Sequence, residues 1–114
     1  MNIVVVEDKI TVNELREIAK EFYVSMIKGV VDIEKSVVAF GGEYHIDANI
    51  VLMDNGSKQK DIWGFNIYFD RPREEWLKYN SLINIRPLAG NNEMDVQNED
   101  IRNKMKEVIN SKII

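Results

Sequence analysis

The chain has 114 residues, no cysteine and a net charge of −4, which is the size of a single domain covering residues 1–114. The lack of cysteine excludes disulfides, thiolate metal sites and cysteine nucleophiles, and it is typical of a protein of the reducing cytoplasm. The 15 basic and 19 acidic residues form no basic stripe, which argues against nucleic-acid binding, and no apolar run reaches the ~18–20 residues of a membrane span.

The first predicted elements are a strand and a capped helix. Ile3–Val6 is a short apolar run typical of a strand. Thr11 and Glu14 then form a capping box, in which each side chain can satisfy a free N–H of the first helical turn. We expect the helix to end near Gly29. Its apolar stripe consists of Leu15, Ile18, Ala19, Phe22 and Met26.

Two β-rich segments follow and predict a hairpin. They are Val30–Ile33 and Val37–Phe40, and the three residues between them contain no glycine. Gly41-Gly42 ends the second segment and gives the backbone freedom to change direction. We therefore expect two neighbouring antiparallel strands here.

The stretch from Gly41 to Asp70 predicts a second, longer hairpin. Apolar and polar residues alternate on both sides of Asn55-Gly56, a dipeptide that strongly favours a tight hairpin turn. A turn at that dipeptide would place His45 opposite Asn66 and would align the apolar faces of the two strands. One face of the return strand would carry Trp63, Phe65, Ile67 and Phe69, and the other Ile62, Gly64, Asn66 and Tyr68.

Three further elements complete the chain. Pro72–Tyr79 predicts a short helix or turn, Ser81–Pro87 alternates like a strand, and Asn98 can cap a final helix that runs to about Lys112. Together the elements predict an α+β fold. We expect a mainly antiparallel sheet of about five or six strands, with two main helices packed on one face.

Several of these segments carry a family resemblance. The runs GGEYHIDAN, DNGSKQKDIWGFNIY and SLINIRPLAGN, preceded by KGVVDIEK, resemble an uncharacterised prokaryotic family of small single-domain proteins of unknown function. The similarity covers nearly the whole chain. It implies a single domain, but it implies no activity, cofactor or assigned site. The family has glycine near the position that Ser36 holds in this chain, so we expect this turn to differ from that of the family.

Glu43, His45 and Asp47 are candidates for a metal site. Residues two apart on a strand share a face with neighbours ~7 Å apart. An imidazole and carboxylates suit a divalent ion such as zinc, manganese or iron. The alternative is that His45 only forms a hydrogen bond, to Asn66 or to a carboxylate on a neighbouring strand.

A wider polar face is the second candidate. It could bind a small polar or anionic ligand, with Arg86 as a fork for a carboxylate or phosphate. It could also support acid–base chemistry, with His45 transferring the proton and Asp47 orienting the imidazole. An ordinary solvated sheet face is the alternative. The face comprises Glu43, His45, Asp47, Asn49, Asn66, Tyr68, Asn84 and Arg86.

No complete catalytic constellation can be read from the sequence, so it leaves open whether the protein is an enzyme. The pattern favours a small cytoplasmic binding or interaction module that could act as a homodimer and that uses the polar face. A small metal-dependent hydrolase or nuclease using Glu43, His45 and Asp47 is the alternative, and a structural or regulatory subunit is the third class.

Overall fold

The computed structural model describes residues 1–114 and has one antiparallel sheet of five strands, with three α-helices. This is the α+β class that the sequence predicts. The helices are α1 (Val12–Ala19), α2 (His45–Asp54) and α3 (Glu99–Lys112). The strands are β1 (Val4–Val6), β2 (Met26–Asp32), β3 (Val37–Phe40), β4 (Ile62–Tyr68) and β5 (Leu77–Lys78), in the spatial order β1-β3-β2-β4-β5.

One face of the sheet carries the larger core. Side chains of α1 and α3 pack against alternate strand residues in a cluster of 18 buried residues. Gly29 in β2 lies opposite Phe65 in β4, and the Phe65 ring fills the space that a Cβ on Gly29 would need. The strand side chains of this cluster include Val31, Val38, Phe40, Trp63, Phe65 and Ile67.

The other face carries a smaller core under α2. Its five buried residues are Val30, Ala39, Ala48, Leu52 and Ile62. Because successive residues of a strand point to opposite faces, Val30 and Val31 belong to different cores. Beside α2, a single 3₁₀ turn at Leu82–Asn84 also contacts β4. The candidate site lies on this second face.

Several sequence predictions are confirmed at the level of single elements. The apolar run at Ile3–Val6 contains β1, and the hairpin of β2 and β3 forms as expected. The capping box of Thr11 and Glu14 is present at the start of α1. Asn98 accepts a hydrogen bond from the N–H of Ile101 and so caps α3.

The predicted end of the first helix is wrong. Helix α1 ends at Ala19, so Phe22 lies beyond it and Met26 already begins β2. Gly29 lies in the middle of β2, where it pairs with Phe40 on one side and Phe65 on the other. The glycine is needed there for close packing across the sheet, not to end a helix.

The prediction of a long hairpin between Gly41 and Asp70 is also wrong, because residues 45–54 form α2. The Asp47 carboxylate accepts hydrogen bonds from the N–H groups of Glu43, at 3.1 Å, and Tyr44, at 3.0 Å, and so caps the first helical turn. Gly56, with φ of 100°, follows Asn55 at the end of the helix. Strand β4 therefore pairs with β2 and not with residues 45–54.

The strand predicted at Ser81–Pro87 is wrong as well. This stretch forms two 3₁₀ turns, Leu82–Asn84 and Pro87–Ala89. The short helix or turn expected at Pro72–Tyr79 is a 3₁₀ turn at Arg73–Glu75, which leads into β5. No helix of the protein has the length and apolar character needed to cross a lipid bilayer.

Candidate functional site

A cavity of about 300 Å³ opens between the start of α2, strands β2 and β4, and the segment around Leu82. This volume lies at the lower end of the range of small-molecule pockets, ~300–1,000 Å³. Two other depressions, of about 570 and 360 Å³, are more open to solvent, and at least half of the residues that line each of them are exposed. The cavity is lined by Lys28, Tyr44, His45, Ile46, Asn66, Asn80, Ser81, Leu82, Ile83 and Met94.

Lys28 brings the only cationic side chain into the cavity wall. It points from β2 to the α2 face and is the cross-strand partner of Asn66 in β4. Its Nζ lies 5.4 Å from the ring centroid of Tyr23. The ion pairs of the protein involve the amino terminus, Lys20 and Lys60, so the ammonium of Lys28 has no carboxylate partner. Partial burial lowers the pKa of Lys28.

His45 is the first residue of α2 and is 8% exposed. Its Nε2 lies 2.8 Å from the carbonyl oxygen of Phe65. A carbonyl only accepts, so Nε2 carries the proton and the neutral ring has Nδ1 as a free acceptor. Burial lowers the pKa of His45 to about 4, with a further lowering from the charge of Lys28 and a partial offset from the Phe65 carbonyl. The imidazole is therefore neutral at pH 7.

Asn66 contributes an unused acceptor. Its side chain is 5% exposed, and Nδ2 donates to the carbonyl of Asn80 at 3.2 Å. The side chain lies close enough to the His45 ring to favour protonation of the imidazole. Nevertheless, Oδ1 is buried without a hydrogen-bond partner. A buried acceptor left unpaired is costly, and most such groups in native proteins find a partner.

Gly64 allows the far wall of the cavity to lie close to the sheet. It faces the same side as Asn66, and a Cβ at Gly64 would stand 2.5 Å from the Cβ of Ser81. The Ser81 hydroxyl accepts a hydrogen bond from the N–H of Ile83 at 3.2 Å, which shapes the 3₁₀ turn. The apolar side chains of Leu82 and Ile83 follow directly in the wall.

Two of the eight side chains predicted for the polar face, His45 and Asn66, line the cavity together. Asp47 is engaged in capping α2. Asn49 is buried and exchanges hydrogen bonds with Gln59, at 2.7 and 3.0 Å. These two side chains thus stabilise α2 and the turn that follows it.

The remaining predicted residues lie outside the cavity. Glu43 is exposed, and its backbone carbonyl accepts a hydrogen bond from the Tyr23 hydroxyl at 2.7 Å. Tyr68 is half-buried, and the Arg71 guanidinium lies 4.7 Å from the centre of its ring. Asn84 is fully buried and bonds to the backbone of Gly64.

The side chain of Arg86 is bound to the backbone of the protein. Its guanidinium donates to the backbone carbonyls of Ile83, Lys60 and Ile62. It also stacks on the ring of Trp63, with the guanidinium carbon 4.3 Å from the ring centroid. These contacts join the 3₁₀ segment to the start of β4. The N–H groups of the guanidinium are thus already used in hydrogen bonds to the backbone and are not free to bind a carboxylate or a phosphate.

The three metal-ligand candidates Glu43, His45 and Asp47 do not form a coordinating group. No three His, Cys, Asp or Glu side chains in the protein are grouped closely enough to hold a metal ion. The two-residue spacing does not bring these side chains together, because residues i and i+2 of a helix do not share a face.

Lys28, Asn80 and Ser81 are cavity residues that the sequence interpretation missed. Lys28 fell in the last turn of the predicted helix, which we expected to end near Gly29. Lys28 lies two residues before Val30, and residues two apart on a strand share a face. Extending the predicted strand towards the amino terminus would therefore have placed Lys28 and Val30 on one face. Ser81 and Asn80 sit beside 3₁₀ turns, for which the sequence offers no periodic signal.

Comparison with known proteins adds a family but no function. Neither a curated protein nor a solved structure matches the chain. One family model matches residues 4–112, almost the whole of the chain. The protein therefore belongs to the family described as protein of unknown function (DUF5674).

Proposed function

We propose that this domain is a binding module that holds a small, partly apolar anion in the α2 cavity, with Lys28 as its anchor. The observation that carries the proposal is a lysine that lines the cavity and whose ammonium group has no carboxylate partner. A half-buried cation without a counter-charge gains from any anion that reaches it.

The composition of the wall supports an anionic ligand with an apolar part. No acidic residue lines the cavity, so nothing there repels an anion. Ile46, Leu82 and Met94 expose apolar surface around its mouth. Pockets of this kind take their affinity mainly from apolar contact and their orientation from a few polar groups. A carboxylate on a short hydrocarbon chain has both features.

The geometry gives less support to catalysis. His45 donates through Nε2 to a backbone carbonyl, and no carboxylate orients its ring. Its pKa of about 4 leaves it a weak base near neutral pH. The metal-dependent alternative lacks a ligand group. That alternative and the homodimer stay predictions from the sequence, and the single chain carries the cavity by itself.

Calorimetric titration with isocaproate and with the neutral isocaproamide tests the proposal. We expect isocaproate to bind more tightly, and we expect Lys28→Met to weaken its binding by about tenfold, because the anchoring charge is lost. Lys104→Met is the matched control, since Lys104 is exposed on α3 in the opposite layer. Equal binding of the acid and the amide, or unchanged binding by Lys28→Met, would contradict the proposal.

A further inference from the structure

We infer that two copies of this chain associate through an exposed apolar surface beside α2, which we call the α2 patch. It consists of six large apolar residues that are between 39% and 71% exposed. The inference goes beyond the proposed function and does not depend on which ligand the cavity holds. The members of the α2 patch are Tyr44, Ile46, Ile50, Met53, Leu82 and Met94.

The α2 patch is continuous across the mouth of the cavity. Ile46, Ile50 and Met53 have the helical spacing i, i+4 and i+7, so they form a stripe along one side of α2. Ile46 also lines the cavity, as do the three members of the patch that lie outside α2. Helix α2 and the 3₁₀ turn at Leu82–Asn84 are neighbours in the fold. The stripe and the segment opposite it therefore present one apolar surface.

The stripe on α2 lies outside both cores of the single chain. Ala48 and Leu52 are fully buried and hold another side of the helix against the sheet. About half of the surface of Ile46, Ile50 and Met53 is exposed. Single exposed apolar side chains are ordinary, whereas a contiguous group of them marks an interaction surface. The free side of α2 is thus the side that a partner would cover.

The size of the α2 patch fits a dimer. A fully exposed residue of this size presents roughly 200 Å², so the six exposed fractions amount to about 600 Å² of mainly apolar surface. Homodimer interfaces are ~65% apolar, so an interface built around this surface corresponds to about 900 Å² per partner. Stable interfaces bury ~800 Å² per partner. The patch is therefore large enough to hold two copies together.

The symmetry of the stripe favours a second copy over an unrelated partner. In a twofold interface each residue meets either its own copy or a reciprocal partner. An axis at Ile50 would pair Ile50 with itself and Ile46 with Met53 of the partner subunit. The stripe carries no charge, so the axis brings no like charges together. The two acidic residues of α2, Asp47 and Asp54, lie outside the stripe.

The charges around the patch argue against a lipid surface as its partner. Helices that lie on membranes carry lysine and arginine beside their apolar side, and these attract anionic headgroups. Helix α2 contains neither residue. Glu43 and Asp54 are exposed at its two ends, and the whole chain has a net charge of −4. An uncharged surface on a second copy is the better match.

Sedimentation equilibrium over a wide range of protein concentration tests the inference. We expect the mass of the wild-type protein to approach twice the 13.3 kDa of one chain as concentration rises. Ile50→Glu should weaken association at least about hundredfold, because two unpaired carboxylates would be buried at the axis. The matched control is Ile114→Glu, at an exposed position in the last residue of the chain, and it should associate like the wild type.

Ile50→Cys locates the axis. The chain has no cysteine, so one introduced thiol reports only on its own position. Two copies of a residue beside a twofold axis lie close enough to form a disulfide. Mild oxidation should therefore link Ile50→Cys into a covalent dimer much faster than it links the control Ile114→Cys.

Three results would overturn the inference: a wild-type mass of one chain at every concentration, equal association of Ile50→Glu and the wild type, or equal cross-linking of the two cysteine variants. A monomer that pellets with phosphatidylcholine vesicles would assign the patch to a lipid surface instead. Titration with isocaproate tests the proposed function separately, because it measures ligand binding and not molecular mass.

Discussion

Asn84 and Gly64 exchange two hydrogen bonds across the edge of the sheet. The N–H of Gly64 donates to Oδ1 of Asn84 at 2.8 Å, and Nδ2 of Asn84 donates to the Gly64 carbonyl at 3.0 Å. Strand β5 pairs with β4 only at Asn66 and Ile67, so it does not reach Gly64. The amide of Asn84 thus provides the hydrogen bonds that a neighbouring strand would have made.

Replacing Asn84 by alanine should destabilise the protein strongly. The N–H and carbonyl of Gly64 are buried, and so would lose their partners without gaining water. At ~1–3 kcal/mol for each buried group left unpaired, we expect a loss of about 3 kcal/mol in the free energy of unfolding. Urea denaturation followed by circular dichroism measures this value. Asn92→Ala, at an exposed position, is the control, and a similar small effect for both variants would refute this role of Asn84.

Gly29 and Phe65 should be energetically coupled. The Phe65 ring occupies the space beside Gly29, so an added Cβ forces the ring or the strand to move. We expect Gly29→Ala to cost about 1–3 kcal/mol in the wild-type protein. In a Phe65→Leu background, which lacks the outer ring atoms, the same change should cost at least about 1 kcal/mol less. A double-mutant cycle in urea measures the difference, and strict additivity would contradict the close contact.

The stability of the fold should fall on acidification because of His45. The pKa of His45 is lowered from its ordinary 6.5 to about 4 in the folded protein, so the unfolded chain binds the proton more readily between these two values. Stability is therefore lost as the pH falls through this window and is fully present above it. The difference between the two pKa values of His45 corresponds to about 3 kcal/mol in the free energy of unfolding.

His45→Gln separates this effect from the titration of carboxylates. Glutamine can still donate to the Phe65 carbonyl but carries no titrating group. Between about pH 7.5 and pH 4.5, the wild-type protein should lose about 2–3 kcal/mol more of its free energy of unfolding than the variant. Parallel loss in the two proteins would show that His45 is not buried in its neutral form.

Ser36→Gly should stabilise the protein. Ser36 has φ of 56°, the only non-glycine residue with a positive φ, and it ends the turn between β2 and β3. A left-handed backbone costs a residue with a Cβ about 1–2 kcal/mol, partly offset by the greater chain entropy of glycine. We expect a net gain of about 0.5–1 kcal/mol in urea denaturation. Ser25→Gly, at an exposed position with ordinary φ, should not stabilise.

The sequence predicted the β4 strand well and the residues before it poorly. In β4 the alternation of Trp63 and Phe65 with Gly64 and Asn66 describes two faces that both exist in the fold. Helix α2 shows a similar alternation for another reason. Its outer surface keeps exposed apolar residues, Ile46 and Ile50 among them, so apolar side chains occur all round the helix and no helical stripe stands out.

The candidate site was only partly predictable because it depends on long-range packing. His45 and Asn66 stood out as polar groups in an apolar setting, and both line the cavity. Lys28 looked like one charge among many. It matters because β2 places it opposite Asn66 and leaves it without an acid, and neither the strand pairing nor the missing partner can be read from neighbours in the chain.

The two cores of the sheet differ in size, 18 buried residues against five. Fewer buried apolar residues lie under α2 than under α1 and α3 together, so we expect the layer over the cavity to open locally before the rest of the fold. Hydrogen exchange should therefore proceed through local opening of α2 well before global unfolding. A ligand bound in the cavity beside α2 would slow hydrogen exchange at the backbone amides of α2 and would leave exchange at the amides of α3 unchanged.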